Sequence, residues 1–143
     1  MLVRTDRVPF VLVALTLLAL VAALASGPAA AADDPPPKVT AKELTAAFVK
    51  DPAAAAKKYG DATNPKEVLV EGKVADVVNG TYGKIARLEG DDKAVVSCLL
   101  RKEDEASVKK GDVITIKGKC RGYFKKDNSV DLNGGVLVKP ADK

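Results

Sequence analysis

Between Lys110 and Gly122 the chain runs Lys-Gly-Asp-Val-Ile-Thr-Ile-Lys-Gly-Lys-Cys-Arg-Gly, a Gly-Asp turn followed by alternation and by glycines where a strand must bend. Apolar residues at every second position suit one buried face of a strand and do not suit a helix, whose faces recur every 3.6 residues. The stretch reads as one strand of a small barrel. Just upstream, Ala94-Val95-Val96-Ser97-Cys98-Leu99-Leu100 supplies a second strand with a cysteine on it.

The start of the chain has a different character. Arg4 and Arg7 precede an almost unbroken apolar run from Val8 to Ala25, which Ser26-Gly27-Pro28 ends. Ala30-Ala31-Ala32 then offers a small-residue processing site ahead of Asp33, the layout of a signal peptide over residues 1–32. The expected destination is outside the cytoplasm, in the periplasm or secreted. The competing reading keeps this segment as an uncleaved membrane anchor, since its apolar length approaches the roughly 20 residues that span a bilayer. A lipid-modified N-terminal cysteine is excluded, because the two cysteines are Cys98 and Cys120.

Without residues 1–32, the 143-residue chain is long enough for one core and too short for two. Residues 33–39, with Asp33-Asp34-Pro35-Pro36-Pro37-Lys38, read as a disordered proline-rich linker that can join neither a sheet nor a helix interior. Residues 40–140 form the expected domain. Thr40-Ala41-Lys42-Glu43 has capping-box spacing, so a helix starts at Ala41, with Leu44, Phe48 and Val49 as its apolar stripe. Asp51-Pro52 caps and opens a second helix that Gly60 ends.

From Glu67 the period changes to two. Five strands are expected: Glu67 to Val78 with Gly72 at a strong bend, Gly83 to Leu88, Lys93 to Leu100, Asp112 to Arg121, and Ser129 to Val138. Asn79-Gly80 marks the first hairpin turn and Gly90-Asp91-Asp92 the second. The charged run from Arg101 to Lys110 fits a short helix or helical turn, a helical insert between strands three and four. Three meandering strands, an insert and a hairpin give a mainly β fold, a five-stranded OB-fold Greek-key barrel preceded by one or two short helices.

The sequence Lys58-Tyr59-Gly60, then Val70-Glu71-Gly72-Lys73-Val74, Val96-Ser97-Cys98 and the run from Gly111 to Gly122, resembles the exported bacterial OB-fold proteins called tRNA_anti-like. The resemblance covers about Leu44 to Val138. It implies the barrel and, by fold analogy alone, nucleic-acid binding; no catalytic residue set comes with it.

The chain has no histidine, which removes the commonest general base and zinc ligand. Asp91-Asp92 and Glu103 to Glu105 are carboxylate neighbours without an evident partner element, and Asn133-Gly134-Gly135 reads as a bulge rather than a phosphate loop. The expectation is a protein that is not an enzyme, with no cofactor and no metal. For Cys98 and Cys120 three states stand open: a disulfide favoured by an oxidising compartment, two buried inert thiols, and a redox site.

OB-folds bind ligands on the face of strands two and three and in the loops between strands one and two and between four and five. The expected ligand-binding residues are Tyr82 after the first hairpin turn and Lys119, Arg121, Tyr123, Phe124, Lys125 and Lys126 around the last hairpin. Rings there would stack on bases or sugars and cations would meet phosphates. Tyr123 and Phe124 have a second reading as a cap on the barrel's open end. Arg87, Lys84 and Arg101 would join the site only if they shared its face. The chain thus reads as an exported binding module for an oligonucleotide or oligosaccharide. The alternative is a cell-envelope structural module with a protein partner, touching the membrane only through residues 1–32.

Overall fold

The computed structural model describes residues 34–138. The signal-peptide reading of residues 1–32 and the closing Pro140 lie outside them. Eight elements follow in order: β1 (Lys38–Thr40), α1 (Ala41–Lys50), α2 (Pro52–Tyr59), β2 (Lys66–Gly80), β3 (Gly83–Glu89), β4 (Val95–Leu100), β5 (Val113–Phe124) and β6 (Ser129–Val138).

The 15-residue β2 organises the barrel by serving two partners in turn. Lys66 to Lys73 pair antiparallel with β5, and Val74 to Gly80 pair antiparallel with β3, with a bulge between Val74 and Asp76. β3 continues to β4, β4 pairs in parallel with β6, and β6 returns to β5, so β2 to β6 close on themselves. This is the expected five-stranded OB-fold. Gly72 sits where a Cβ would come within 2.9 Å of the Ala41 Cβ and 3.2 Å of the Leu88 Cβ. It is a point of close approach between α1 and the sheet, not only a bend.

The interior follows the period-two pattern. Val68, Val70, Val74, Leu88, Val96, Ile116, Cys120 and Val130 are each at most 1% exposed. α1 plugs one end of the barrel with Ala41, Leu44, Thr45 and Phe48, spaced three and four apart on one helical face. Burying Phe48 alone stabilises the fold by roughly 3 kcal/mol. The capping box is formed: Thr40 Oγ1 accepts from the Glu43 amide at 3.2 Å, and the Glu43 carboxylate accepts from the Thr40 amide at 2.9 Å. Donation from the Thr40 amide and from its hydroxyl holds the Glu43 carboxyl below its usual range. The buried Thr45 hydroxyl donates toward the Ala41 and Lys42 carbonyls and accepts from the Asp91 amide at 2.8 Å, tying α1 to the β3–β4 turn.

Four expectations are corrected. The linker ends earlier than residue 39: Lys38-Val39-Thr40 pairs in parallel with Leu69-Val70-Glu71, the Pro37 carbonyl accepts from the Leu69 amide, and Val39 is buried. Pro37 lacks a donor but keeps its acceptor, so a proline run can lead into an edge strand. The first hairpin turns on Thr81-Tyr82, because Asn79 and Gly80 still pair with Lys84 and Gly83. The segment from Arg101 to Lys110 is a series of turns and not a helix, with i→i+3 bonds from Asp104 to the Arg101 carbonyl and from Ser107 to the Asp104 carbonyl. Its acids act as braces: Glu105 accepts from the Lys84 amide at 3.1 Å and Asp104 from the Leu137 amide at 3.2 Å.

The fourth correction concerns the cysteines, which are both free and buried. Cys98 on β4 and Cys120 on β5 are each paired with the same residue, Leu132 of β6, from opposite sides. Two inter-strand spacings separate them by about 9–10 Å, beyond the roughly 7 Å that a disulfide tolerates between Cα atoms. Burial pushes the Cys98 thiol up to about 12 and the Cys120 thiol up to about 11, so neither is a nucleophile near neutral pH.

A candidate ligand groove on the barrel face

Alternation along the strands decides which side chains leave the core. In β3, Ala86 and Leu88 point inward, so Ile85 and Arg87 point out; in β4, Val96 and Cys98 leave Ser97 and Leu99 outside; in β6, Val130 and Leu132 leave Asp131 and Asn133 outside. Register then aligns them. Arg87 pairs with Ser97 and Ser97 with Asp131, and the bulge between Cys120 and Tyr123 sets Arg121 of β5 at the next place in that row. A second row, Ile85 and Leu99 followed by Asn133 and Lys119, runs beside it.

Apart from Lys119, these rows floor a groove of about 350 Å3 that climbs to the Thr81-Tyr82 turn at one end and to Asp127 of the last hairpin at another. Tyr82 is 89% exposed, an aromatic ring held at a hairpin tip with no core role. Ile85 and Leu99 make the floor apolar between Arg87 and Arg121 on one hand and Asp127 and Asp131 on the other. The Asp131 carboxyl is pushed up by partial burial and by Asp127, against the opposing pull of the Ser129 hydroxyl and Arg121. Ser129 Oγ donates to Asp131 Oδ1 at 3.0 Å, which fixes the carboxylate's orientation.

The expected site residues separate. Tyr82 and Arg121 line this groove. Lys119 lines a neighbouring cavity of about 430 Å3 on the other flank of β5, where Arg121 also stands. Tyr123 and Phe124 line a shallow depression against Phe48, Pro52 and Ala56 of the helices. Tyr123 is packed on the core and its hydroxyl donates to Asn128 Oδ1 at 2.6 Å, pinning the β5–β6 turn, so its work is structural. Lys125 and Lys126 are exposed on the turn itself. Arg87 does share the face, Arg101 lines the second cavity, and Lys84 has the parity of core-facing Ala86. Sequence reasoning missed Asp131, Ser97 and Asn133. Their signal was alternation in β4 and β6, which becomes a site only once β4 is known to lie beside β6.

No group of three cysteine or carboxylate side chains gathers to hold a metal ion among the described residues, and none of their helices is long and apolar enough to cross a membrane.

A model of the tRNA_anti-like family matches residues 1–133, nearly the whole chain. The chain belongs to that family. The match extends over the barrel up to Asn133 in β6 and so includes most of the groove. A search among curated proteins finds no match to this tRNA_anti-like chain. Among solved structures, it resembles a candidate nucleic acid-binding lipoprotein from Klebsiella pneumoniae subsp. pneumoniae. That likeness has 21% identity and a TM-score of 0.53 over 71% of this chain and 92% of the other, a shared fold.

Proposed function

We propose that this tRNA_anti-like protein is an exported, non-enzymatic module that binds single-stranded nucleic acid in the β3–β4–β6 groove. The observation that carries the reading is the groove's make-up. An exposed Tyr82 ring stands at its rim, two guanidinium groups flank it, and hydrogen-bonding side chains alternate with apolar floor residues. Unstacked bases are held by aromatic rings or Arg planes and read along their edges by polar side chains. In this assignment Tyr82 stacks, Arg87 and Arg121 stack or meet phosphates, and Ser97, Asp131 and Asn133 face base edges. The family name and the description of the Klebsiella neighbour agree with it.

Export rests on the charged start, apolar run and alanine site of residues 1–32. The neighbour is described as a lipoprotein; here the segment lacks a cysteine to carry a lipid. The test is fluorescence anisotropy of the full chain with single-stranded DNA, single-stranded RNA and a heparin-like polysaccharide, at low and physiological salt. Binding of the strands above the polysaccharide, weakened by Tyr82→Ala, supports the reading. Equal or preferential polysaccharide binding would replace the ligand class, and no binding would return the chain to a protein-interaction role in the envelope. Mass measurement of the cell-derived chain decides whether it begins at Asp33.

A further inference from the structure

The second cavity differs from the first in charge. The groove carrying Tyr82 balances Arg87 and Arg121 against Asp127 and Asp131, two cations and two carboxylates. The cavity beyond β5 gathers Arg101, Lys117, Lys119 and Arg121 against the single carboxylate of Glu67. Glu67 is already engaged with Lys117 at 3.1 Å. Arg101 reaches only its exposed neighbour Glu103, at 4.0 Å, and Lys119 has no carboxylate within 4 Å among the described residues. The floor between these cations is backbone: Gly118 and Gly134 line it, and a Cβ at Gly134 would meet nothing within 4 Å. Arg121 and Asn133 line both cavities, so the two form one track across β3, β4, β6 and β5.

We infer that the track divides its labour: the balanced groove takes bases, and the basic cavity around Arg101 and Lys119 takes the phosphodiester backbone of the same single strand. This inference rests on the nucleic-acid reading above and deepens it. Phosphates are indifferent to sequence and their neutralisation releases counterions, whereas base edges demand paired donors and acceptors. A net cationic cavity with a bare floor suits the first task. A near-neutral groove with oriented carboxylate, amide and hydroxyl groups suits the second. Arg121, at the junction, is where the strand passes from one to the other.

The experiment measures anisotropy of labelled oligonucleotides of about 12 residues, within the site sizes of single OB-folds, across roughly 50–200 mM salt. It uses the full chain and the variant carrying Arg101→Gln and Lys119→Gln. The expected result is a slope of log affinity against log salt that flattens by about 1.4 in the double variant, about 0.7 per lost phosphate contact, with equal weakening for oligo-dT, oligo-dA and oligo-dC. Asp131→Asn should keep the slope and reorder the three homopolymers. A double variant that still binds with an unchanged slope would overturn the division while leaving the groove reading intact. Failure of the unaltered chain to bind any strand at the lowest salt would overturn both. Matching thermal melts establish that these substitutions leave the fold intact.

Discussion

Two glycines of equal standing in the sequence separate sharply in the structure, and the pair makes a controlled test of packing. Gly72 and Gly118 both interrupt the alternation of a barrel strand. An added methyl at Gly72 would lie 2.9 Å from the Ala41 Cβ, 3.2 Å from the Leu88 Cβ and 3.4 Å from its Cδ1. Neither neighbour can retreat: Ala41 is the first residue of α1, held by the Thr40–Glu43 box, and Leu88 is completely buried. At Gly118 the closest atoms, the Asn133 carbonyl and the Leu132 Cβ, would be at 3.4 Å, ordinary contact. Replacing glycine by alanine at a compatible backbone site stabilises by about 0.4–1 kcal/mol through the unfolded chain, and overpacking a core costs about 1–3 kcal/mol. Gly118→Ala should therefore be neutral or stabilising, while Gly72→Ala should lose about 1–2 kcal/mol net, or roughly 5–10 °C in Tm for a domain of this size. Thermal melts followed by far-UV circular dichroism read both. A Gly72→Ala protein that melts at or above the parent, or a Gly118→Ala protein that falls as far, would refute the account of α1 as a tightly seated plug.

Titration with a thiol reagent without reductant should find no reaction in the native protein and two free thiols after denaturation; absence of both thiols in the denatured chain would contradict the separation of Cys98 and Cys120 by Leu132. Because both thiols titrate higher folded than unfolded, their contribution is complete below about pH 8.5 and is lost as pH rises through about 11 and 12. The urea midpoint should fall over that alkaline range, and less so in a Cys98→Ala, Cys120→Ala variant. Thr45→Val keeps the shape of a buried side chain but strands the Asp91 amide, for a cost of about 1–3 kcal/mol in denaturant melts. Tyr123→Phe should cost about 1 kcal/mol by freeing Asn128, with oligonucleotide affinity unchanged; a selective loss of affinity would return Tyr123 to the binding surface.

Local signals carried most of the architecture. The capping box at Thr40, the Asp51-Pro52 restart and the period-two runs each specify an element without knowledge of its neighbours, and all of them form. Readings failed where the outcome depended on a partner distant in sequence. Val39 enters the sheet because Leu69 to Glu71 offer a place beside them, and the Arg101 to Lys110 segment stays in turns while Asp104 and Glu105 brace Leu137 and Lys84. Of the three cysteine states left open, the structure shows two buried thiols, and the reason is again a distant partner. Local pattern places each cysteine on a strand, yet it is silent on which strand lies between them, and β6 inserts Leu132 there.

The same insertion explains the incomplete reading of the site. Tyr82 and Arg121 were legible as an exposed ring and an outward cation near expected loops. Asp131 and Asn133 become groove residues only because β6 pairs in parallel with β4, a Greek-key connection that no local pattern encodes. That one non-local pairing therefore fixes the chemistry twice: on the inner face it keeps the two thiols apart and inert, and on the outer face it sets a carboxylate between Ser97 and Arg121. A barrel closed by a direct β4–β5 contact would have placed the cysteines side by side and removed the polar edge on which recognition of a base depends.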